Sequence, residues 1–226
     1  MPTYDHSAVT QSKEQVSLLA THKVLRNTYF LLSLTLLFSA LTAALSMAAN
    51  AHPGPILSII GMFGLLFLTQ ALRNSIWGVV AAFIFTGFMG YVLGPTLNFF
   101  IHNYSNGGAL ILTALGGTGV IFFTLSAYVL TTRKDFSYLG GFLFVAIMVA
   151  FLGSLAGLFF HMPMLQLLIS GVFMLVCSGL ILFYTSAIIH GGERNYIMAT
   201  IAIYVALLNI FINLLYILSA FAGRRS

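Results

Sequence analysis

An all-α membrane protein is the fold class this sequence predicts, on three observations. The chain of 226 residues is 60% apolar but only 6% charged, with nine Lys and Arg and four Asp and Glu, whereas an ordinary soluble domain carries about 25% charged residues. Its apolar stretches are continuous and near the ~20 residues an α-helix needs to cross a bilayer core; barrel strands would run about 10 residues with alternating polarity. Seven such stretches follow one another, divided by short connectors rich in Gly, Pro, Asn and His. So few charges could not cover a soluble fold. Nine scattered cations also form no patch wide enough for a nucleic-acid groove, so the expected surroundings are membrane lipid and not nucleic acid.

The first element is a polar N-terminal tail, residues 1–27, carrying Asp5, Lys13, Glu14, Lys23 and Arg26. It lacks the short apolar core and small-residue cleavage site of a secretory signal. Its composition predicts a disordered segment, with a short amphipathic turn around Val16 to Ala20. Residues 28–226 form the membrane domain. Its spans are predicted at Thr28–Ala49, Pro55–Leu72, Ile76–Phe100, Ala109–Thr131, Tyr138–Phe160, Met164–Ile189 and Tyr196–Phe221. The breakers between them include His52-Pro53-Gly54, Arg73-Asn74-Ser75, Arg133-Lys134-Asp135, His161-Met162-Pro163 and Gly191-Gly192-Glu193-Arg194-Asn195. Connectors this short leave no room for an extramembrane domain.

Orientation follows from the Lys and Arg count. Lys13, Lys23, Arg26, Arg73, Arg133, Lys134 and Arg194 fall on the side of the N-terminus; Arg224 and Arg225 alone fall on the other. The expectation is therefore a cytoplasmic N-terminus and an external C-terminus in a multi-pass protein. The loop charges Arg133, Lys134, Asp135, Glu193 and Arg194 would share the cytoplasmic face.

Within the spans, Gly90 and Gly94 form a GxxxG pair, with Gly87 one turn earlier, and Gly153 and Gly157 form another. Small residues four apart let membrane helices approach closely. Gly116-Gly117-Thr118-Gly119 lacks the Lys-Ser/Thr of a phosphate-binding loop and lies inside an apolar run. Apart from His190 and Glu193, which Gly191-Gly192 separate, none of the six histidines has a ligand-type partner at helical spacing, so no metal or cofactor set is expected. Cys177 is alone. The spans contain no Asp, Glu, Lys or Arg, the usual markers of an ion path. No convergent nucleophile and base is visible, so an enzyme is not expected. Asn209 and Asn213 lie four apart on one face of the last span, near Tyr204 and Tyr216. They would either bond neighbouring helices or line a small polar cavity.

Three runs carry a family resemblance. Thr21-His22-Lys23-Val24-Leu25-Arg26-Asn27-Thr28-Tyr29, entering the first span, resembles the start of Bax inhibitor-1 (TMBIM-like) proteins. Thr132-Arg133-Lys134-Asp135-Phe136-Ser137-Tyr138-Leu139-Gly140 is similar to the family's basic connector, and Asn209-Ile210-Phe211-Ile212-Asn213-Leu214-Leu215 to its closing helix. Proteobacterial members of the family also resemble this chain over the first span, Gly87–Pro95, Ser126–Asp135 and Ile189-His190-Gly191-Gly192-Glu193.

The resemblance implies seven transmembrane helices with the last one central, enclosed by the other six. Some family members are pH-sensitive calcium leaks, gated by one carboxylate on the sixth helix and one on the seventh, with a basic residue on the second. Matched by position, those acids fall on Tyr184 and Ala206, and the basic residue on Arg73. Without the paired carboxylates there is no coupled titration to gate a pore. The calcium-leak alternative, with a polar face of Tyr184, Asn209, Asn213 and Arg73, is weakened accordingly. The proteobacterial resemblance implies instead an inner-membrane modulator and substrate of the membrane-anchored ATP-dependent protease FtsH. The tail, up to about 90–97 Å long when extended, would be the handle, with Lys13, Glu14 and Gln15 inside its engaged stretch Met1 to Ala20.

Overall fold

The computed structural model describes residues 6–159 and 163–222, with side chains from Thr21 onward except at 156, 158, 159 and 163. Among the described residues there are seven helices: α1 (His6–Ala48), α2 (Pro55–Leu72), α3 (Trp77–Asn103), α4 (Gly107–Thr132), α5 (Leu139–Phe159), α6 (Pro163–Ile189) and α7 (Tyr196–Phe221). Six of them are long and apolar enough to cross a membrane; the described apolar stretch of α5, Leu139–Leu155, is shorter. The expected connector residues His161 and Met162, the C-terminal Arg224 and Arg225, and the side chains of Lys13, Glu14 and Gln15 lie outside the described residues.

The helix ends follow local chemistry. Asn50, with φ +46°, closes α1, and the Ala51 N–H reaches back to the Ser46 carbonyl at 3.0 Å, a left-handed C-cap that Asn tolerates. Pro55 starts α2 at a position where its missing N–H costs nothing. Gly191, with φ +73°, ends α6. Asn195 caps α7, its side-chain oxygen accepting from the N–H groups of Ile197 and Met198.

One expectation is corrected at the N-terminus. The tail expected to be disordered is helical from His6, and α1 is one helix of 43 residues. The reason lies in propagation. His6 to Ala20 contains neither Gly nor Pro and includes Ala8, Gln11, Lys13, Glu14, Leu18 and Leu19, all good helix formers. Extending a helix already nucleated in the bilayer adds one bond per residue fixed and avoids the nucleation cost.

Helix α7 is the axis. Its buried side include Ile197, Ile201, Ile203, Tyr204, Ile210 and Leu215, and it packs against α1, α3, α4 and α6. Helix α2 packs on α3, and α5 on α6, as an outer layer. The last helix is thus central as expected, but four helices surround it closely and two stand outside them. The α2 sequence explains its place: Ile56, Leu57, Ile59, Ile60, Phe63 and Phe67 are all exposed in the bundle, an apolar face suited to acyl chains.

The most extensively packed helix pair is α1 with α3. A Cβ on Gly90 would strike the Ser39 carbonyl, and one on Gly94 would strike the Ser46 side chain, so this GxxxG pair is a contact surface. The second pair behaves differently. Among the described residues a Cβ on Gly153 or Gly157 would meet only Ile169, at 3.7 and 3.6 Å, an ordinary contact.

Pro95 lies inside α3. A proline there removes the N–H that would bond the carbonyl four residues earlier, which is that of Tyr91. Ser46 of α1 donates its hydroxyl to this carbonyl at 2.7 Å. The freed group is satisfied from the neighbouring helix, as a bilayer interior demands.

Candidate functional site

The side chains that carry polar chemistry gather in two places. The first is the end of the bundle where the connectors α2–α3, α4–α5 and α6–α7 lie. Ser186 on α6 accepts from the N–H of Phe136 at 2.9 Å and donates to the carbonyl of Lys134 at 3.2 Å. One turn on, His190 has Nδ1 at 2.9 Å from the Ser186 carbonyl and Nε2 at 3.2 Å from the Arg133 carbonyl. Together they hold the backbone of the Arg133-Lys134-Asp135 connector against the end of α6. On the other side, Asn195 Nδ2 donates to the carbonyl of Arg73 at 2.8 Å and to Asn74 Oδ1 at 3.1 Å, tying the α2–α3 connector to the start of α7.

The carboxylates of this end serve local turns. Asp135 accepts from both the N–H and the hydroxyl of Ser137. Those two bonds, the hydroxyl first, hold its carboxyl below the usual carboxylate range, with a further pull from His190. Glu193 accepts from the Asn195 N–H at 2.7 Å, while Arg194 Nε donates to the Gly191 carbonyl at 3.3 Å. The predicted face charges are thus present at one end, where Asp135, Glu193 and Arg194 each bond within their own connector.

The second place is at membrane depth. The Tyr204 hydroxyl, on α7, lies 2.6 Å from Ser39 Oγ of α1 and donates to the Thr86 carbonyl of α3 at 3.2 Å. A phenol has one proton to give, so with that proton on Thr86 the Ser39 hydroxyl is the donor to Tyr204. Tyr204 is 1% exposed, with its ring edge-on to Phe85 at 6.2 Å. Nearer the basic end, the Tyr29 hydroxyl lies 3.4 Å from Thr185 Oγ1, joining α1 to α6. At the opposite end Asn98 Nδ2 donates to the Met47 carbonyl at 3.0 Å. All of these bonds but that from Tyr204 to Thr86 have α1 as a partner.

Sequence reading had placed the polar face elsewhere. Asn209 donates to the Val205 carbonyl and Asn213 to the Asn209 carbonyl, each at 2.8 Å within α7 itself. Tyr184 is half-buried with its ring edge-on to Phe183 at 5.3 Å. Arg73 is exposed at the C-cap of α2, and Ala206 is buried in the core. Among the described residues the one hydrogen bond between these positions is that from Asn213 to the Asn209 carbonyl. The missed residues are Ser39, Ser46 and Thr86. A signal for α1 was present: Thr35, Ser39, Thr42 and Ser46 recur at spacings of four, three and four, a single hydroxyl-bearing stripe on a helix.

Such an arrangement can bind helices together and close the bundle axis. It offers no charged group at depth for a cation. Among the described residues no three His, Cys, Asp or Glu side chains gather to hold a metal ion.

Known proteins resemble this chain over almost its whole length. The family model described as "Inhibitor of apoptosis-promoting Bax1" matches residues 21–223. The chain is 56% identical over 217 residues to the "Modulator of FtsH protease YccA" of Escherichia coli K12, covering 96% of this chain and 98% of that one. The same identity and coverage relate it to the "Inner membrane protein YccA" of E. coli O6:H1. A Pseudomonas aeruginosa protein is 51% identical over 219 residues, 96% of each chain. With the family model spanning almost the whole helical bundle and relatives matched end to end, this chain belongs to the Bax inhibitor-1 family.

Proposed function

We propose that this protein is an inner-membrane modulator of the membrane-anchored protease FtsH, and itself a substrate that resists extraction. It acts by binding and not by catalysis. Its N-terminus and the connectors bearing Arg73, Arg133, Lys134 and Arg194 face the cytoplasm, as the basic-residue asymmetry requires, and its seven helices cross the bilayer. The name carried by the E. coli relative supports the partner.

The observation that carries the reading is the continuity of α1. Helix α1 runs unbroken from His6 to Ala48, about 65 Å at 1.5 Å per residue. Its first part is the segment a protease would grip, and its second is the helix bonded through Tyr29, Ser39 and Ser46 to α6, α7 and α3. A pull on the handle directly loads a helix hydrogen-bonded to three others. Extraction must break those bonds and the Gly90 and Gly94 contacts together. Engagement is then long and degradation slow, which occupies the protease. The calcium-leak alternative is not favoured, since Tyr184 and Ala206 stand at the positions that the family resemblance assigns to gating acids.

Deleting residues 1–20 tests the proposal. In cells containing the protease, the truncated protein should insert normally and persist several times longer than the full chain. Unchanged turnover would sink the handle. A full-length variant with the α1 bonds weakened, Ser39→Ala with Ser46→Ala, should be degraded faster.

A further inference from the structure

Helices α1 and α4 each pack on α7, and they meet side by side where Tyr29 stacks on Phe122 at 5.7 Å. Beyond that stack a cleft of about 420 Å³ opens between them, with α7 as its floor. Leu36, Ala40 and Ala44 form one wall, Gly119 and Phe123 the other, and Leu207 part of the floor. Ala40, Ala44 and Phe123 are exposed, so the cleft opens sideways to the bilayer. From Tyr29 to Met47 it follows α1 for about 27 Å, most of a ~30 Å hydrocarbon core.

At the basic end of the same gap lies a second, shallower cavity of about 600 Å³. It is lined by His22, Lys23, Leu25, Arg26, Tyr29 and Leu130, and Tyr29 borders both cavities. His22, Lys23 and Arg26 are exposed there. Apolar groove and cationic mouth are thus successive parts of one channel down the outside of the bundle.

We infer that this channel is a binding site for an anionic phospholipid, the phosphate lying at Lys23 and Arg26 and one acyl chain running down the α1–α4 cleft. Three features select this occupant. The groove is apolar and open to lipid, so water does not fill it. A partner helix about 10 Å across and 27 Å long would occupy about 2,000 Å³, several times the cleft, whereas a single acyl chain is slender enough to enter. Among the described residues the mouth is lined by cations and by no carboxylate, which favours an anionic headgroup over a zwitterionic one. A bound chain would brace α1 against α4, which the protein alone joins mainly at Tyr29.

The test uses the full chain in detergent, with phosphatidylglycerol and phosphatidylcholine of matched chains followed by native mass spectrometry. The wild type should retain phosphatidylglycerol at least tenfold better. Lys23→Ala with Arg26→Ala should weaken phosphatidylglycerol by roughly tenfold to thirtyfold and leave phosphatidylcholine unchanged. Gly119→Leu should weaken both lipids alike; a Cβ there meets nothing within 4 Å, so the fold tolerates it. Both variants are checked for helix content and monodispersity. Equal retention of the two lipids by the wild type would overturn the site, as would unchanged binding in both variants. A photo-crosslinker at Phe123 that captured a protein helix in native membranes in place of lipid would overturn it too.

Discussion

Ser46 of α1 donates its hydroxyl to the backbone carbonyl of Tyr91, 2.7 Å away. That carbonyl is the one left without its helical partner by Pro95. A proline kink in one helix is therefore completed by a serine from another, and the contact is made close by Gly94, where a Cβ would strike the Ser46 side chain.

A double-mutant cycle would isolate the relationship. Ser46→Ala should destabilise the bundle by about 1–2 kcal/mol, because the carbonyl is left bare in a low-dielectric interior. In a Pro95→Ala background the backbone N–H returns to Tyr91, and the Ser46→Ala cost should fall to a few tenths of that. Reversible unfolding in mixed micelles measures both. Equal costs in the two backgrounds would refute the pairing.

Tyr204→Phe keeps the buried ring but removes the hydroxyl that joins α7 to Ser39 and the Thr86 carbonyl. A loss of about 1–2 kcal/mol is expected, within the range for hydrogen bonds between membrane helices. Ser39→Ala should cost less, since Tyr204 still donates to Thr86.

Asn195 does two separable things. Its Oδ1 caps α7, and its Nδ2 holds the Arg73 carbonyl. Asn195→Ala should lose both, at about 1–2 kcal/mol for the cap alone. Asn195→Asp keeps the cap acceptor and loses the donor, so thermal stability should fall less while amide exchange in the α2–α3 connector rises as much as in the alanine variant.

The α4–α5 connector should loosen on the acid side. The folded carboxyl of Asp135 is held below its ordinary value by Ser137, so its stabilisation is complete above the unfolded carboxylate range near pH 3.9. It is lost as pH falls through the lower folded value. Exchange of the Ser137 amide, corrected for intrinsic pH dependence, should rise in that window, and Asp135→Asn should remove the transition.

Gly90→Ala places a methyl group against the Ser39 carbonyl, and forcing α1 from α3 should cost about 1–3 kcal/mol. Gly153→Ala meets only Ile169 at 3.7 Å and should be close to neutral. A similar loss in both variants would show that glycine acts through backbone freedom and not through close approach.

Much of the helix plan was legible. The predicted segments and the observed helices share Pro55–Leu72 and Tyr196–Phe221, and most other ends fall within a few residues, because Pro, Gly and Asn punctuate the chain where apolar runs stop. The start of α1 was missed, since a polar composition conceals a stretch of good helix formers fused to a nucleated helix. At the site, Asn209 and Asn213 drew attention as the strongest polar groups of α7, yet their amides turn back on their own helix. Ser39 and Ser46, weaker hydrophiles, make the bonds between helices.

Sequence by itself determined the apolar helices, their order and the alternation that puts the basic connectors at one end of the bundle. Each is a local sum: transfer of successive side chains into a bilayer depends on composition over some twenty residues and not on what lies alongside. Tertiary structure decided which hydroxyl meets which carbonyl, which glycines are contacts, and that a cleft remains between α1 and α4. Those depend on which helix is the neighbour. In a bilayer, where lipid is as apolar as leucine, that choice rests on shape and hydrogen bonding between residues as far apart as Ser39 and Tyr204.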